Sequence, residues 1–340
     1  MSDAVKVPEV LYHYCSLETF CNIIKNKSIW LSDFRKTNDK KELIWLRTTV
    51  EKELYSCIQT KMSSCKIGES LGWELVRQLI EHAGAELGCW GFCLSEKPDN
   101  LGQWRGYGDD GRGVSIGFKQ AELKDIIQPV ADDREQDIDI EKPDLKFGKV
   151  NYGENIFGEL STKAEMNIEE RREGIQKLAN ESISMYGHDT DAFPEINISQ
   201  EMAKVIIIER LAIRRGPFYK MQAFIEEAEH RIVFSMPEDR TATEETFRAA
   251  FATALEKNRA DRQWDESKAK IQFEEYGYNV RNNDLVSHLA IGFKNLSDVI
   301  ASVTIGPKSK ATKEDIALFL KLNGVDLDLQ KIEKSKASYR

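Results

Sequence analysis

The chain has 340 residues, 41% hydrophobic and 31% charged, enough apolar material to bury the core of one large domain or two of ordinary size. No stretch approaches the ~20 apolar residues of a membrane span, and the opening MSDAVKVPEV lacks the charged-then-apolar pattern of a secretion signal, so the expected location is cytoplasmic. A net charge of −9 argues against a broad basic surface for nonspecific nucleic-acid binding and leaves room only for a local basic groove.

In chain order, VLYHYC predicts a strand and SLETFCNIIKNK a helix. Ser16 is its cap, and Leu17, Phe20, Ile23 and Ile24 form one apolar stripe. SIWLSDF is a second strand, and a long amphipathic helix starts at Asn38 or Asp39. CWGFCLSE (Cys89 to Glu96) is expected as a buried central strand, NLGQWRGYGDDGRG as a loop with five glycines, and VSIGF (Val114 to Phe118) as the returning strand. The acidic stretch from Ala131 to Asp144 suits a solvated loop, and KFGKVNYG a short strand. Residues from about 159 to 215 are mostly helical in pattern. RIVFSM is a strand ending at Pro237, the run from Thr241 to about Trp264 is helical, and strand, turn and helix close the chain through IASVTIGPKSKATKEDIALFLKLNGV.

The fold class expected is α+β: one domain over 1–340, its central mixed or antiparallel sheet flanked by helices, with a helical insertion at about 159–215. The six cysteines contain no CxxC pair and read as structural thiols.

Three stretches carry candidate chemistry. His13 and Tyr14 are neighbours on the first strand and so face opposite sides of it; the plain alternative is a hydrogen-bonded structural histidine beside a core aromatic. In the glycine-rich stretch, Gln103, Trp104, Arg105, Tyr107 and Arg112 suit stacking on a planar ring and pairing with phosphate, or simply close a hairpin. The stretch has no GxxxxGK[ST], and a strand follows where a dinucleotide fold needs a helix, so neither nucleotide-loop motif applies. In FIEEAEHRIVF, a strand would place Glu227, Glu229 and Arg231 on one face; a carboxylate beside a guanidinium stays ionised and oriented, as an acceptor for a sugar hydroxyl must. The alternative is a helix end with ordinary ion pairs. A metal-dependent nuclease built on Asp39, Glu227 and Glu229 lacks a compact ligand set, and no metal is predicted.

These stretches together resemble a bacterial family known as a domain of unknown function, DUF2971. Its pattern is carried by Tyr12-His13-Tyr14, Asn38-Asp39 with Glu42, Cys93-Leu94-Ser95, Trp104 with Tyr107, Gly113, Gly117-Phe118, Glu227 with Glu229 and Arg231, Val303 and Gly306-Pro307. Phe224 and His230 stand where the family usually has tryptophan. More distantly, a strand histidine followed by helix, strand and a late carboxylate strand is similar to ADP-ribosyltransferases. That second resemblance implies an enzyme cleaving NAD at the nicotinamide–ribose bond, plausibly a toxin or phage-defence effector. In it His13 would hold the ribose, Glu229 would stabilise the oxocarbenium-like transition state with Glu227 as partner, and one of Tyr14, Trp30, Trp104 or Tyr107 would stack on nicotinamide. The other binding residues implied are Ser32, Ser95, Gln103, Arg105, Arg112 and Arg231, with a protein or nucleic-acid acceptor possible. The alternative is a nucleotide- or nucleic-acid-binding sensor without turnover, its phosphate held by Arg105, Arg112 and Arg231. Either way, His13, Ser95, Trp104, Glu229 and Arg231 are expected to line one cleft.

Overall fold

A computed structural model describes residues 8–36, 45–46, 48–50, 52, 87–129, 142–153, 207–208, 210–239, 241–260, 270–281 and 283–339. The expected helix start at Asn38 or Asp39, and most of the insertion, lie outside them.

The first strand, β1 (Val10–Cys15), leads into α1 (Leu17–Asn26), whose Ser16 cap accepts the Thr19 N–H at 3.1 Å. The helix stops at Lys27, in the left-handed region with φ 51°. Its stripe of Phe20, Ile23 and Ile24 is buried, each side chain contributing roughly 1.5–3 kcal/mol by leaving water. Then come β2 (Ser28–Asp33), β3 (Leu87–Ser95), α2 (Leu101–Gly106), β4 (Val114–Lys119), α3 (Gln120–Ile126), β5 (Gln128–Pro129), β6 (Asp144–Lys149), β7 (Asn151–Tyr152), β8 (Tyr219–Lys220), β9 (Glu229–Pro237) and α4 (Glu244–Ala260). A long hairpin, β10 (Ile271–Arg281) and β11 (Asp284–Phe293), precedes α5 (Leu296–Val299), β12 (Ile300–Ile305), α6 (Lys313–Leu322) and β13 (Ile332–Lys334).

Eleven of these strands form one mixed sheet, mostly antiparallel, with parallel pairs at β12–β13 and β5–β6. The α+β expectation is met. The expected loop after Asn100 is a correction: it begins as α2, because Asn100 caps the helix by accepting the Gln103 N–H at 3.1 Å. The β10–β11 hairpin was not anticipated at all.

The feature that positions everything else is a fork. One edge of β3 pairs with β9 along nine residues, Leu87↔Pro237 through Ser95↔Glu229. Its other edge is shared. β2 pairs near its start (Ser32↔Gly91, Asp33↔Trp90), and β1 joins at its end (Tyr12↔Ser95). From the fork, one branch continues through β2, β11 and β10, the other through β1, β4, β12 and β13.

Strand alternation then sorts the side chains. On one face, Leu11, Phe92, Leu94, Ile116 and Ile232 pack with Phe20 and Ile24 of α1, Phe251 of α4 and Leu320 of α6 in the main core. On the other, Cys89 and Val233 meet Phe34, Leu46, Ile207 and Leu211 in a second cluster. Helical residues therefore cover both faces, as a sheet with two apolar faces requires.

Candidate functional site

His13 sits at the fork. Its Nδ1 lies 2.9 Å from the Cys93 carbonyl oxygen, and its ring stacks on Phe92 with centroids 4.1 Å apart. Between the contacts made by β2 and β1, the imidazole N–H supplies a donor to a carbonyl on the shared edge. Burial drives the His13 pKa down, against the Cys93 hydrogen bond, to about 4. At neutral pH it is therefore an uncharged donor. Its register partner is Ile116, in the main core.

Glu229 and Arg231 occupy the opposite face. Ser95 pairs with Glu229 and Cys93 with Arg231, and Tyr12 pairs with Ser95. His13 is the next residue along β1 and points the other way. The expectation of a single cleft holding both His13 and Glu229 is thus corrected: a twofold strand period cannot bring both to one side.

On its own face Glu229 is enclosed. Arg231 grips it in a bidentate pair, Nε to Oε1 and Nη2 to Oε2, each 2.9 Å, and spends Nη1 on the Pro217 carbonyl. Arg231 is 1% exposed and Glu229 6%. Lys220 lies 3.3 Å from Glu229 and 2.6 Å from Glu227, joining the two carboxylates. Burial by itself would raise the Glu229 pKa, but the charge and hydrogen bonds of Arg231, with Lys220, bring it down to about 2. The guanidinium also lies over the Phe34 ring, 5.0 Å from its centre, and Lys220 over Phe224 at 4.7 Å. Phe224 thus supplies an aromatic face to the lysine. His230 meets Glu96 at 2.9 Å.

Glu227 is not on the strand, contrary to expectation. It ends a short 3-10 helix, Gln222–Glu227, and Ala228 turns the chain in the left-handed region at φ 45° before β9 begins. That turn brings Glu227 and Glu229 to one lysine, although they are not neighbours on a pleated face. Ser95 fixes the turn from β3, its hydroxyl donating to the Glu227 carbonyl at 2.7 Å and accepting the Lys97 N–H at 3.2 Å.

The Glu227 side chain remains partly exposed, at 18%. Tyr107, past the end of α2 and 40% exposed, directs its hydroxyl at Glu227 Oε1 from 3.3 Å, long for an O–H···O bond. Burial first, then the Glu227 charge, raises the Tyr107 pKa, so the phenol stays protonated and able to donate.

The other aromatics are spoken for. Trp104 is 0% exposed and donates Nε1–H to Asp99 at 2.7 Å. Tyr14 packs edge-on against it, its hydroxyl donating to Lys97 O at 2.6 Å and accepting from Asn100 N–H at 2.9 Å. Trp30 stacks on His288 with centroids 3.9 Å apart. Among the aromatics expected to stack on a ligand, Tyr107 alone combines substantial exposure with a place at the ionic network.

Arg231 cannot serve as a phosphate holder in this arrangement, since all three of its nitrogens are engaged. Arg112 is paired with Asp109 at 3.0 Å and Arg105 lies against Tyr339. Gln103 is buried within α2, and Ser32 lies on β2 opposite Gly91. Sequence reasoning missed Lys220 and Tyr152, the latter accepting the Glu229 N–H at 3.0 Å. Neither sits in a periodic pattern; both reach the site through the small β7–β8 pair. Among the described residues no cluster of three His, Cys, Asp or Glu side chains could hold a metal ion, and no helix is long and apolar enough to cross a membrane.

No curated protein and no solved structure matches the chain. Residues 103–232, the span that contains Trp104, Tyr107, Lys220, Glu227, Glu229 and Arg231, match the family model described as Protein of unknown function (DUF2971), so over this span the chain is similar to that family.

Proposed function

We propose that the protein binds a nucleotide at the mouth formed by Glu227 and Tyr107, and holds it without turning it over. The observation that carries this reading is the contrast between the two carboxylates. Glu227 is partly exposed, pairs with Lys220 at 2.6 Å, and receives the Tyr107 hydroxyl from a long 3.3 Å. A ribose diol, with two donors at hydroxyl spacing, is a better partner for that carboxylate than a single phenol at 3.3 Å. The exposed Tyr107 ring then offers a face on which a base can stack. Glu229, the group that a glycosyl-transfer reaction needs beside the sugar, has both oxygens taken by Arg231.

Calorimetric titration with ATP, AMP, ADP-ribose and NAD tests the reading. Saturable binding that falls about 10-fold or more in Tyr107→Ala and in Glu227→Gln is the expected result, with base stacking worth ~1–3 kcal/mol. Absence of binding to all four at millimolar concentration overturns it.

NAD cleavage is the second reading, favoured by one observation: the Glu227 and Glu229 carboxylates meet at Lys220. Steady release of nicotinamide from NAD by the wild type, lost in Glu227→Gln, would establish it in place of simple binding.

A further inference from the structure

Beyond β13 the chain runs back over the segment that carries Tyr107. The Ser335 N–H donates to Ile305 O at 2.8 Å, continuing the line of the strand. The Ser335 hydroxyl and the Lys336 N–H (2.7 Å) then both donate to the Asp99 carboxylate, the same group that accepts the Trp104 indole. Four residues after Ser335, Tyr339 lays its ring over Lys308 Nζ at 3.7 Å, with the Arg105 guanidinium 5.2 Å from the ring centre. Its hydroxyl donates to one oxygen of Asp110, and Lys308 takes the other at 3.1 Å.

The aromatic seat is thus a built one, with two cations against the ring and an acceptor at the phenol. The tail ties the segment at two points, Asp99 just before α2 and Asp110 just after Tyr107. Asp110 sits in a tight turn whose Asp109, Asp110 and Gly111 all have positive φ. That turn is pinned to the β12 end by the Lys308 N–H donating to Gly111 O at 2.8 Å.

We propose that Ser335–Tyr339 is a releasable latch: seated, it holds the Asp99–Gly113 segment in place, and its release lets Tyr107 and the mouth over Glu227 move. Release is feasible because the Tyr339 contacts lie at the surface. Arg105 is exposed, and the Lys308 and Asp110 side chains are 32% and 46% exposed, so water competes for each of them. The Asp99 hydrogen bonds form the firmer half, since that carboxylate gathers the indole and both tail donors.

Hydrogen exchange on the ligand-free 340-residue chain tests the latch directly. Tyr339→Ala should speed exchange of amides 103–113 about tenfold while leaving β9 unchanged, the pattern of a local opening. Deletion of residues 335–340 should do at least as much. The hexapeptide SKASYR added in trans to that deletion should restore protection, whereas SKASAR should not. Unchanged exchange in Tyr339→Ala, or faster exchange spread evenly across the sheet, overturns the proposal. The effect of release on ligand affinity rests on the nucleotide reading; the exchange experiment contains no nucleotide, so each idea fails separately.

Discussion

The two faces of the sheet at the fork are made by the same few residues of β1, β3 and β9 and have opposite chemistry. On one face His13 stacks on Phe92 beside Leu94 and Ile232; on the other Cys93, Glu229 and Arg231 stand together with Lys220. Burial acts on both. On the apolar face only the Cys93 hydrogen bond opposes it, burial wins, and His13 is neutral with a pKa lowered to about 4. On the ionic face two cations more than offset it, and Glu229 stays charged with a pKa near 2. Burial alone therefore says little about whether a group is ionised; the charges that are buried with it decide. Nor does a bound charge imply chemistry. Of the two glutamates, the more enclosed Glu229 is the less available to a ligand, and the partly exposed Glu227 is the more useful one.

The largest expected effect breaks the ionic face. Arg231→Ala leaves Glu229 buried with only Lys220 beside it, and should cost ~3–5 kcal/mol in denaturant unfolding. Glu229→Gln should also destabilise strongly, because Arg231 loses its charge partner in a site with 1% exposure. A Glu229→Gln protein that melts like the wild type would show that the pair is not structural and would return Glu229 to the list of catalytic candidates.

Acid titration separates the two faces. His13 has a folded pKa below its ordinary 6.5, so the unfolded chain binds the proton first; the stability it contributes is full above pH 6.5 and is lost as pH falls towards about 4. Glu229 also has a lowered folded pKa, so its contribution is full above about 4.5 and is lost as pH falls towards about 2. His13→Gln should remove on the order of 3 kcal/mol of the pH dependence between 6.5 and 4 while leaving the lower window intact. Identical stability–pH curves for wild type and variant over the upper window would contradict the neutral-histidine account.

Glu227→Gln and Tyr107→Ala should change stability by less than ~1 kcal/mol, as partly exposed groups do, even where they abolish ligand binding. A large loss of melting temperature in either would place Glu227 with the structural network. The smallest effect is expected at Ala228, where an L-residue holds φ 45°. Ala228→Gly relieves a left-handed penalty and should shift stability by no more than ~1 kcal/mol, whereas a β-branched valine there should cost more. Equal unfolding midpoints for the glycine and valine variants would remove the turn as a source of strain.

Much of this was legible locally. The Ser16 cap and the Phe20–Ile24 stripe fix α1, apolar runs fix β3 and β9, and strand alternation by itself says that His13 and Tyr14 face opposite ways. These are short-range consequences of backbone period and capping. The hairpin β10–β11 was missed because its outer strand is largely exposed, with Glu274, Glu275 and Tyr278 breaking the apolar pattern. The sequence could likewise say that Glu227, Glu229 and Arg231 form a charged group, but not that a left-handed Ala228 takes Glu227 off the strand. Which face received the charges, that Lys220 would join them, and that β3 would share one edge between β1 and β2 were decided by tertiary structure. Each depends on pairing register between segments far apart in the chain, and a shift of one residue in that register would exchange the two faces.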